Sequence, residues 1–342
     1  MRILLTGHTG FKGTWATFLL SELGYEVHGI SLPLSSRNWL YQNSGAKDRI
    51  SSEIFADIGK PEELHTAIRI IEPEQIWHFA SQSLVSVGYD QPGGTFRSNV
   101  AGTLNLLNAI AENAIVLSGL LVATSDKVYS HETQAESFLE SDALGGKDPY
   151  SASKAVQDFM VQQRISSDPN WASPTNIVRA GNVIGYGDTA ENRLFPDIVR
   201  AWQKNDTLVL RNPSATRPWQ HVLDCIGGYL LASKGTGVHE RNMIGIWNFG
   251  PLEKSQTVSE VVRKAKSILN FKVTNSDLGS FEEMQDLKLD SSKARNSLSW
   301  KPSYSLEEAI ELTLQPIKQN TPSHDILALQ VRNYLNGLTS RF

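Results

Sequence analysis

At 342 residues, with 40% hydrophobic and 20% charged side chains, the chain is long enough for one large α/β unit or two domains around a real core. A net charge of −4 without a long basic run excludes nucleic-acid and membrane surfaces as expected partners, and no apolar run reaches transmembrane length. Cys225, the only cysteine, rules out an internal disulfide framework and fits a reducing cytoplasm, while the eight histidines lack the spacing of a metal site.

The run Arg2–Thr6 reads as a short buried strand rather than a signal peptide. Gly7-His8-Thr9-Gly10-Phe11-Lys12-Gly13 follows, with an apolar helical pattern over 11–23 that stops at Gly24. In a strand–turn–helix context the glycines let the backbone approach a pyrophosphate, and the helix start offers free N–H groups and a positive dipole end. The second strand, 27–31, ends at Ser31 rather than at the Asp or Glu that would accept from a ribose 2′-hydroxyl. With Arg37 beyond it, NAD and NADP both stay open. A third strand over 53–56 leads into Asp57 and Ile58, where a carboxylate could meet an adenine amino group. Helix Pro61–Ile71 and a strand over 75–79 come next, then Ala80-Ser81-Gln82-Ser83, a loop to Pro92 and a helix over 95–113. The fifth strand, 120–124, delivers Ser125-Asp126-Lys127 at its C-terminal end, the edge that faces the ligand crevice of an open parallel sheet.

Asp148-Pro149-Tyr150-Ser151-Ala152-Ser153-Lys154 predicts a helix start, with Asp148 as N-cap and Pro149 at the first position. Tyr150 and Lys154 then stand i and i+4 on one face, where an ammonium beside the phenol favours phenolate and readies it for proton exchange. Alternation of strand and helix through Ala180 gives an α/β fold with a doubly wound parallel sheet. Residues 1–185 with about 218–250 form the expected dinucleotide-binding domain; about 186–217 with 251–342 form a smaller, interleaved substrate domain. Arg193 and Arg217 can each take a diphosphate oxygen bidentately. Residues 219–234 read as a helix, 247–249 as a strand, and 259–269, 291–298 and 306–317 as further helices.

Gly7, Gly10 and Gly13 together with Ser125, Tyr150 and Lys154 resemble the extended short-chain dehydrogenases/reductases. Longer strings narrow the match: His8 to Gly13, Thr124-Ser125-Asp126-Lys127, Leu144-Gly145-Gly146 before Asp148, Arg179-Ala180-Gly181-Asn182-Val183-Ile184-Gly185, Arg217-Pro218-Trp219-Gln220-His221-Val222 and Trp247-Asn248-Phe249-Gly250-Pro251. They resemble the CDP-glucose 4,6-dehydratases, with Asp126-Lys127 the most diagnostic pair. The resemblance implies a Rossmann fold of the extended type with NAD as cofactor. It would be held by Gly7, Thr9, Gly10, Phe11, Gly13, Ser31, Asp57, Ile58 and Ala80, with Tyr150 and Lys154. CDP-glucose would lie against Gln82, Ser125, Asn182, Arg193, Arg217 and His221. A homo-oligomer, dimer or tetramer, through helices near 95–113 and 150–166 is implied as well. Ser81 and Thr189 stand where that family usually carries alanine and tryptophan, and bear on fine substrate preference.

The implied activity is that of a lyase in 6-deoxyhexose and O-antigen biosynthesis. Tyr150 takes the proton as C4 is oxidised, with Ser125 as hydroxyl partner and Lys154 tuning the phenol. A protonated Asp126 then serves the departing C6 hydroxyl, and hydride returns to C6. Lys127 acts either as the C5 base or as an electrostatic stabiliser of the enolate. A 4-epimerase of the same fold needs no acid at C6, and a non-catalytic dinucleotide sensor can dispense with the tyrosine–lysine pair. Asp126-Lys127 argues against the first, and Tyr150 with Lys154 against the second.

Overall fold

The computed structural model describes residues 1–130, 132, 136–234, 244–276 and 286–339. The first half of the chain builds a layered α/β unit. Its strands are β1 (Arg2–Thr6), β2 (Glu26–Ser31), β3 (Ser52–Phe55), β4 (Gln75–His78), β5 (Gly119–Ala123) and β6 (Thr175–Ala180). Between them run α1 (Phe11–Glu22), α2 (Trp39–Asn43), α3 (Pro61–Ile71), α4 (Val85–Asp90), α5 (Pro92–Phe96), α6 (Gly102–Glu112) and α7 (Pro149–Ser167). The second half adds β7 (Val183–Ile184), α8 (Leu194–Lys204), β8 (Thr207–Leu210), β9 (Thr216–Arg217), β10 (Gln220–His221), α9 (Val222–Lys234) and β11 (Ile244–Phe249). It closes with β12 (Gln256–Thr257), α10 (Val258–Lys266), β13 (Lys272–Asn275), α11 (Ser292–Leu298), α12 (Leu306–Lys318) and α13 (Ser323–Thr339).

Seven strands pair in the order β11-β6-β5-β4-β1-β2-β3, all parallel. Both sheet faces are covered, which explains the near-continuous apolar strands. Within β1, Ile3 and Leu5 point into one core with Trp15, Phe18 and Tyr229, while Leu4 points into the other with Ile68, Leu106 and Ile165. Helix α3 shows how the second core is assembled: Leu64, Ala67, Ile68 and Ile71 recur at helical spacing and are its buried face. Strand order reverses between β1 and β4. That reversal opens a crevice at the carboxyl ends of the strands.

A third apolar cluster belongs to the second half of the chain and joins Phe195 and Ile198 of α8, Leu208 and Leu210 of β8, Val261 of α10 and Ile310 of α12. This smaller lobe is not contiguous in sequence. The chain leaves the sheet after β6 to form α8 and β8, returns through α9 and β11, and leaves again to pair β12 with β9 and β13 with β8. Asp224 on α9 holds the later segment, taking the backbone N–H groups of Ser303 at 2.6 Å and Tyr304 at 3.1 Å.

Three expectations shift. The stretch before Pro92 is a helical turn, α4, and the long helix begins at Pro92 rather than near 95, with a wider turn over Arg97–Ala101 before α6. The helix expected from 219 starts at Val222, because Gln220 and His221 pair with Val183 and Ile184 first. The C-terminal α13, expected with 251–342 in the smaller domain, instead buries Val331 and Tyr334 in the core that contains Trp15 and Phe18. Among the described residues no helix is long and apolar enough to cross a membrane, and no group of three His, Cys, Asp or Glu could hold a metal.

Candidate active site

At the end of β1 the chain turns sharply at Gly7, whose φ of +75° lies in the left-handed region. A Cβ there would come within 2.8 Å of the Ala80 backbone nitrogen, across the point where strand order reverses. The third glycine serves packing: a Cβ on Gly13 would sit 2.2 Å from the Gly7 carbonyl oxygen. Helix α1 starts at Gly10 without a side-chain cap, so its first N–H groups face the crevice. Gly7, Thr9, Gly10, Phe11, Gly13, Ser31, Asp57, Ile58 and Ala80 all line one cleft of about 820 Å³. The bare glycine cradle at an uncapped helix start suits a dinucleotide pyrophosphate, so these residues fit such a group. At the far end Ser31 spends its hydroxyl on the Leu32 carbonyl, and Arg37 lines the same wall.

Helix α7 begins as its sequence requires. The Asp148 carboxylate caps Ser151 N–H at 2.9 Å, and Pro149 occupies the first turn. Gly146 is needed just before it, since a Cβ would fall 2.2 Å from the Ser151 carbonyl carbon. Tyr150 is thereby set in the cleft beside Ser125, Asp126, Lys127 and Lys154. Burial pushes the Tyr150 phenol up to about 12; a hydrogen bond with Ser125 pulls the other way, and the nearby Asp126 adds to the rise.

Lys154 departs from expectation. Its ammonium donates to the Ala123 carbonyl at 3.2 Å and to Gln157 Oε1 at 2.9 Å, beneath the end of β5. Burial, with the charge of Lys12 next, brings it down to about 7. The pull on the Tyr150 phenol comes from Ser125 and Arg193 instead. Spacing i, i+4 aligned the two Cα–Cβ bonds, but both hydrogen bonds of the long lysine side chain are made elsewhere, at the strand end and along its own helix.

Ser125 caps the short turn that carries Asp126 and Lys127, accepting Lys127 N–H at 3.2 Å and donating to Asp126 Oδ1 at 2.9 Å. The Asp126 carboxyl is 3% exposed, and its Oδ2 has no hydrogen-bond partner among the described residues. Burial raises its pKa, opposed by Lys127, Ser125, Arg217 and Lys12. A carboxyl so placed favours its protonated form and can give a proton. The segment is braced from behind. Thr124 donates to Asp158 at 2.9 Å, Arg179 grips both oxygens of Asp158 at 2.8 and 2.7 Å, and Arg179 also reaches the Tyr129 hydroxyl at 2.9 Å.

From the smaller lobe, Asn182, Arg193 and Arg217 enter the same cleft. Arg193 pairs with Asp188 at 3.1 Å and donates to Ser83 Oγ at 3.1 Å, linking the lobe to the loop after β4. Arg217 is 5% exposed and donates to the Thr216 carbonyl at 2.8 Å. Two residues expected against the substrate stand outside the cleft lining. Gln82 is not among the described residues lining the cleft; its amide is consumed in its own loop, donating to Leu84 O at 3.0 Å and Thr95 Oγ1 at 2.9 Å. His221 is fully buried between Trp15 and Tyr304, down to about 3 by burial, and also stands apart from the cleft lining. Its place in β10 turns the ring toward α1. Conversely, Lys12 went unread although it stands inside the glycine motif. It lines the cleft with its Nζ 3.2 Å from the Tyr229 hydroxyl.

A family model for GDP-mannose 4,6 dehydratase matches residues 4–313. The chain is 33% identical to a CDP-glucose 4,6-dehydratase of Salmonella typhimurium, over 99% of this chain and 97% of that protein. Among solved structures, a dTDP-glucose 4,6-dehydratase from Bacillus anthracis in complex with NAD superposes with a TM-score of 0.78 at 21% identity, covering 96% of this chain and 99% of that one. A UDP-glucose 4-epimerase from Bifidobacterium longum in complex with NAD+ and UDP superposes with a TM-score of 0.83 at 17% identity, covering 95% and 100%.

Proposed function

The chain belongs to the GDP-mannose 4,6 dehydratase family, and on that premise we propose that it is an NAD-dependent 4,6-dehydratase converting CDP-glucose to CDP-4-keto-6-deoxyglucose. The observation that carries the reading is Asp126: a buried carboxyl with an unpaired oxygen beside Tyr150 and Ser125, which C4 oxidation alone would not need. Match over nearly the full length to a CDP-glucose 4,6-dehydratase supports the choice of nucleotide sugar.

When bound against the glycine turn, NAD supplies the acceptor that stores a hydride between C4 and C6. The residues of the chain manage protons and charge. As the ketone forms, Tyr150, hydrogen-bonded to Ser125, would take the C4 hydroxyl proton as its phenolate, the state that Arg193 and the positive charge of bound oxidised NAD would favour against burial. The ketone acidifies the C5 hydrogen, which leaves as a proton with Lys127 as base or as charge stabiliser. Protonated Asp126 gives its proton to the C6 hydroxyl, which departs as water. Arg193 and Arg217 hold the diphosphate, and Asn182 the sugar nucleotide. Residues 1–185 with about 218–250 carry the dinucleotide, and the interleaved lobe the sugar nucleotide. We read the assembly as a homo-oligomer.

The test is incubation of purified protein with CDP-glucose and NAD, followed by alkali. A CDP-linked enone chromophore is expected. Inversion at C4 without it would make the protein an epimerase, and kcat/KM as high on dTDP-glucose would overturn the nucleotide.

A further inference from the structure

A buried chain of hydrogen bonds, none of it facing the cleft except at Lys154, connects the glycine turn to that lysine. Thr6 ends β1, His78 ends β4, Thr103 lies on α6, and Gln157 and Lys154 on α7. None of the five is more than 2% exposed, so their polar atoms depend on one another. Thr6 Oγ1 and His78 Nδ1 are 2.7 Å apart, His78 Nε2 and Thr103 Oγ1 2.9 Å, Thr103 Oγ1 and Gln157 Nε2 2.8 Å, and Gln157 Oε1 and Lys154 Nζ 2.9 Å.

The donors and acceptors allow only one polarity. Thr103 commits its only hydrogen to the Asn99 carbonyl, so Gln157 must turn its NH₂ toward Thr103 and its oxygen toward Lys154, which donates to it whether charged or neutral. Thr103 sends its own hydrogen to the Asn99 carbonyl at 2.8 Å, so its oxygen accepts from Gln157 and from His78. His78 must then carry its hydrogen on Nε2 and accept at Nδ1 from Thr6, whose oxygen takes the Ala80 N–H at 3.2 Å. Burial first, and the Lys154 charge second, hold His78 neutral, down to about 3. With two Nζ–H bonds committed to Ala123 O and Gln157 Oε1, one remains for the cleft that Lys154 lines, where it would hold the bound NAD.

We propose that Gln157, Thr103 and His78 are positioning residues for Lys154, a hydrogen-bond chain of fixed polarity that aims its ammonium from the glycine turn. Beyond Gln157, which shares α7 with the lysine, the links come from α6, β4 and β1, so the ammonium is registered against the cofactor cradle as well as against its own helix. The kinetic part rests on the dehydratase reading above; the polarity of the chain does not.

Two measurements test it. Long-range ¹H–¹⁵N spectra of ¹⁵N-histidine protein, with His78→Asn to assign the signal, should show His78 neutral with its hydrogen on Nε2 from pH 6 to 9. In Thr103→Val the hydrogen should move to Nδ1. A wild-type hydrogen on Nδ1, or a charged His78, overturns the chain. In single turnover with CDP-glucose and NAD, Gln157→Met and Thr103→Val should slow cofactor reduction by about 10²-fold, the loss typical of a misaimed group, with sugar-nucleotide Kd changed less than about twofold. Thr103→Ser, which keeps the hydroxyl, should restore the rate. Folded Gln157→Met reducing NAD at the wild-type rate overturns the positioning role. If wild-type protein reduces no NAD with CDP-glucose, the dehydratase reading fails while the His78 spectrum still decides the chain.

Discussion

Lys154 should cost this protein stability, and the cost should depend on pH in a known direction. Its folded-state pKa is about 7 against an ordinary 10.5, chiefly through burial. Between those values the unfolded chain holds a proton that the folded chain lacks, so stability rises with pH across that window. At pH 6 the folded protein bears the full cost of a buried ammonium. At pH 9 it has shed the proton, and part of the cost is gone. The two units from 7 to 9, at about 1.4 kcal/mol each, make the difference about 3 kcal/mol. Lys154→Met removes the term. It also strands the Ala123 carbonyl and Gln157 Oε1, at about 1–3 kcal/mol per group, but equally at both pH values. Urea unfolding followed by tryptophan fluorescence, at pH 6 and pH 9, gives variant minus wild-type stability at each. The variant should gain about 3 kcal/mol more at pH 6 than at pH 9. A difference the same at both pH values within about 1 kcal/mol would refute the burial argument for Lys154.

Three further outcomes bear on the chemistry. Tyr150→Phe should slow single-turnover cofactor reduction by about 10²–10⁴-fold while leaving nucleotide-sugar affinity nearly unchanged; an unchanged rate removes it as the base. Asp126→Asn should oxidise C4 but stop before water is lost, so the 4-keto-glucose nucleotide accumulates. Because burial raises the Asp126 pKa and the acid form is the one that acts, wild-type elimination should weaken as pH rises through that raised value. Lys127→Ala in deuterated water should build up reduced cofactor with little deuterium at C5; 6-deoxy product at near wild-type rate would exclude Lys127 from the elimination.

The sequence was most legible where a short motif fixes its own backbone. Asp148-Pro149 starts α7 at the expected residue, and the glycine turn lies where its strand and helix demand. Side-chain destinations were less legible. Gln82 and His221 were implied by resemblance alone, yet Gln82 is spent holding its loop and His221 is turned inward by a two-residue pairing that no periodicity in so short a stretch could reveal. Lys154 was read from helical spacing, which sets where a side chain leaves the backbone but not where a four-carbon stem ends. Thr103 and His78 carry no local signal; only tertiary contact joins them.

The crossing of the chain between its two lobes bears on how such proteins can diversify. A lobe that is one continuous insert can be exchanged whole by a single recombination. Here it is stitched from separate stretches, with α9 and β11 returning to the sheet in between and Asp224 clasping Ser303 and Tyr304 across the join. A single crossover would leave half of one lobe facing half of another and would break that clasp. Substitution around the cleft leaves that clasp intact, which makes point mutagenesis the natural way to redesign this scaffold.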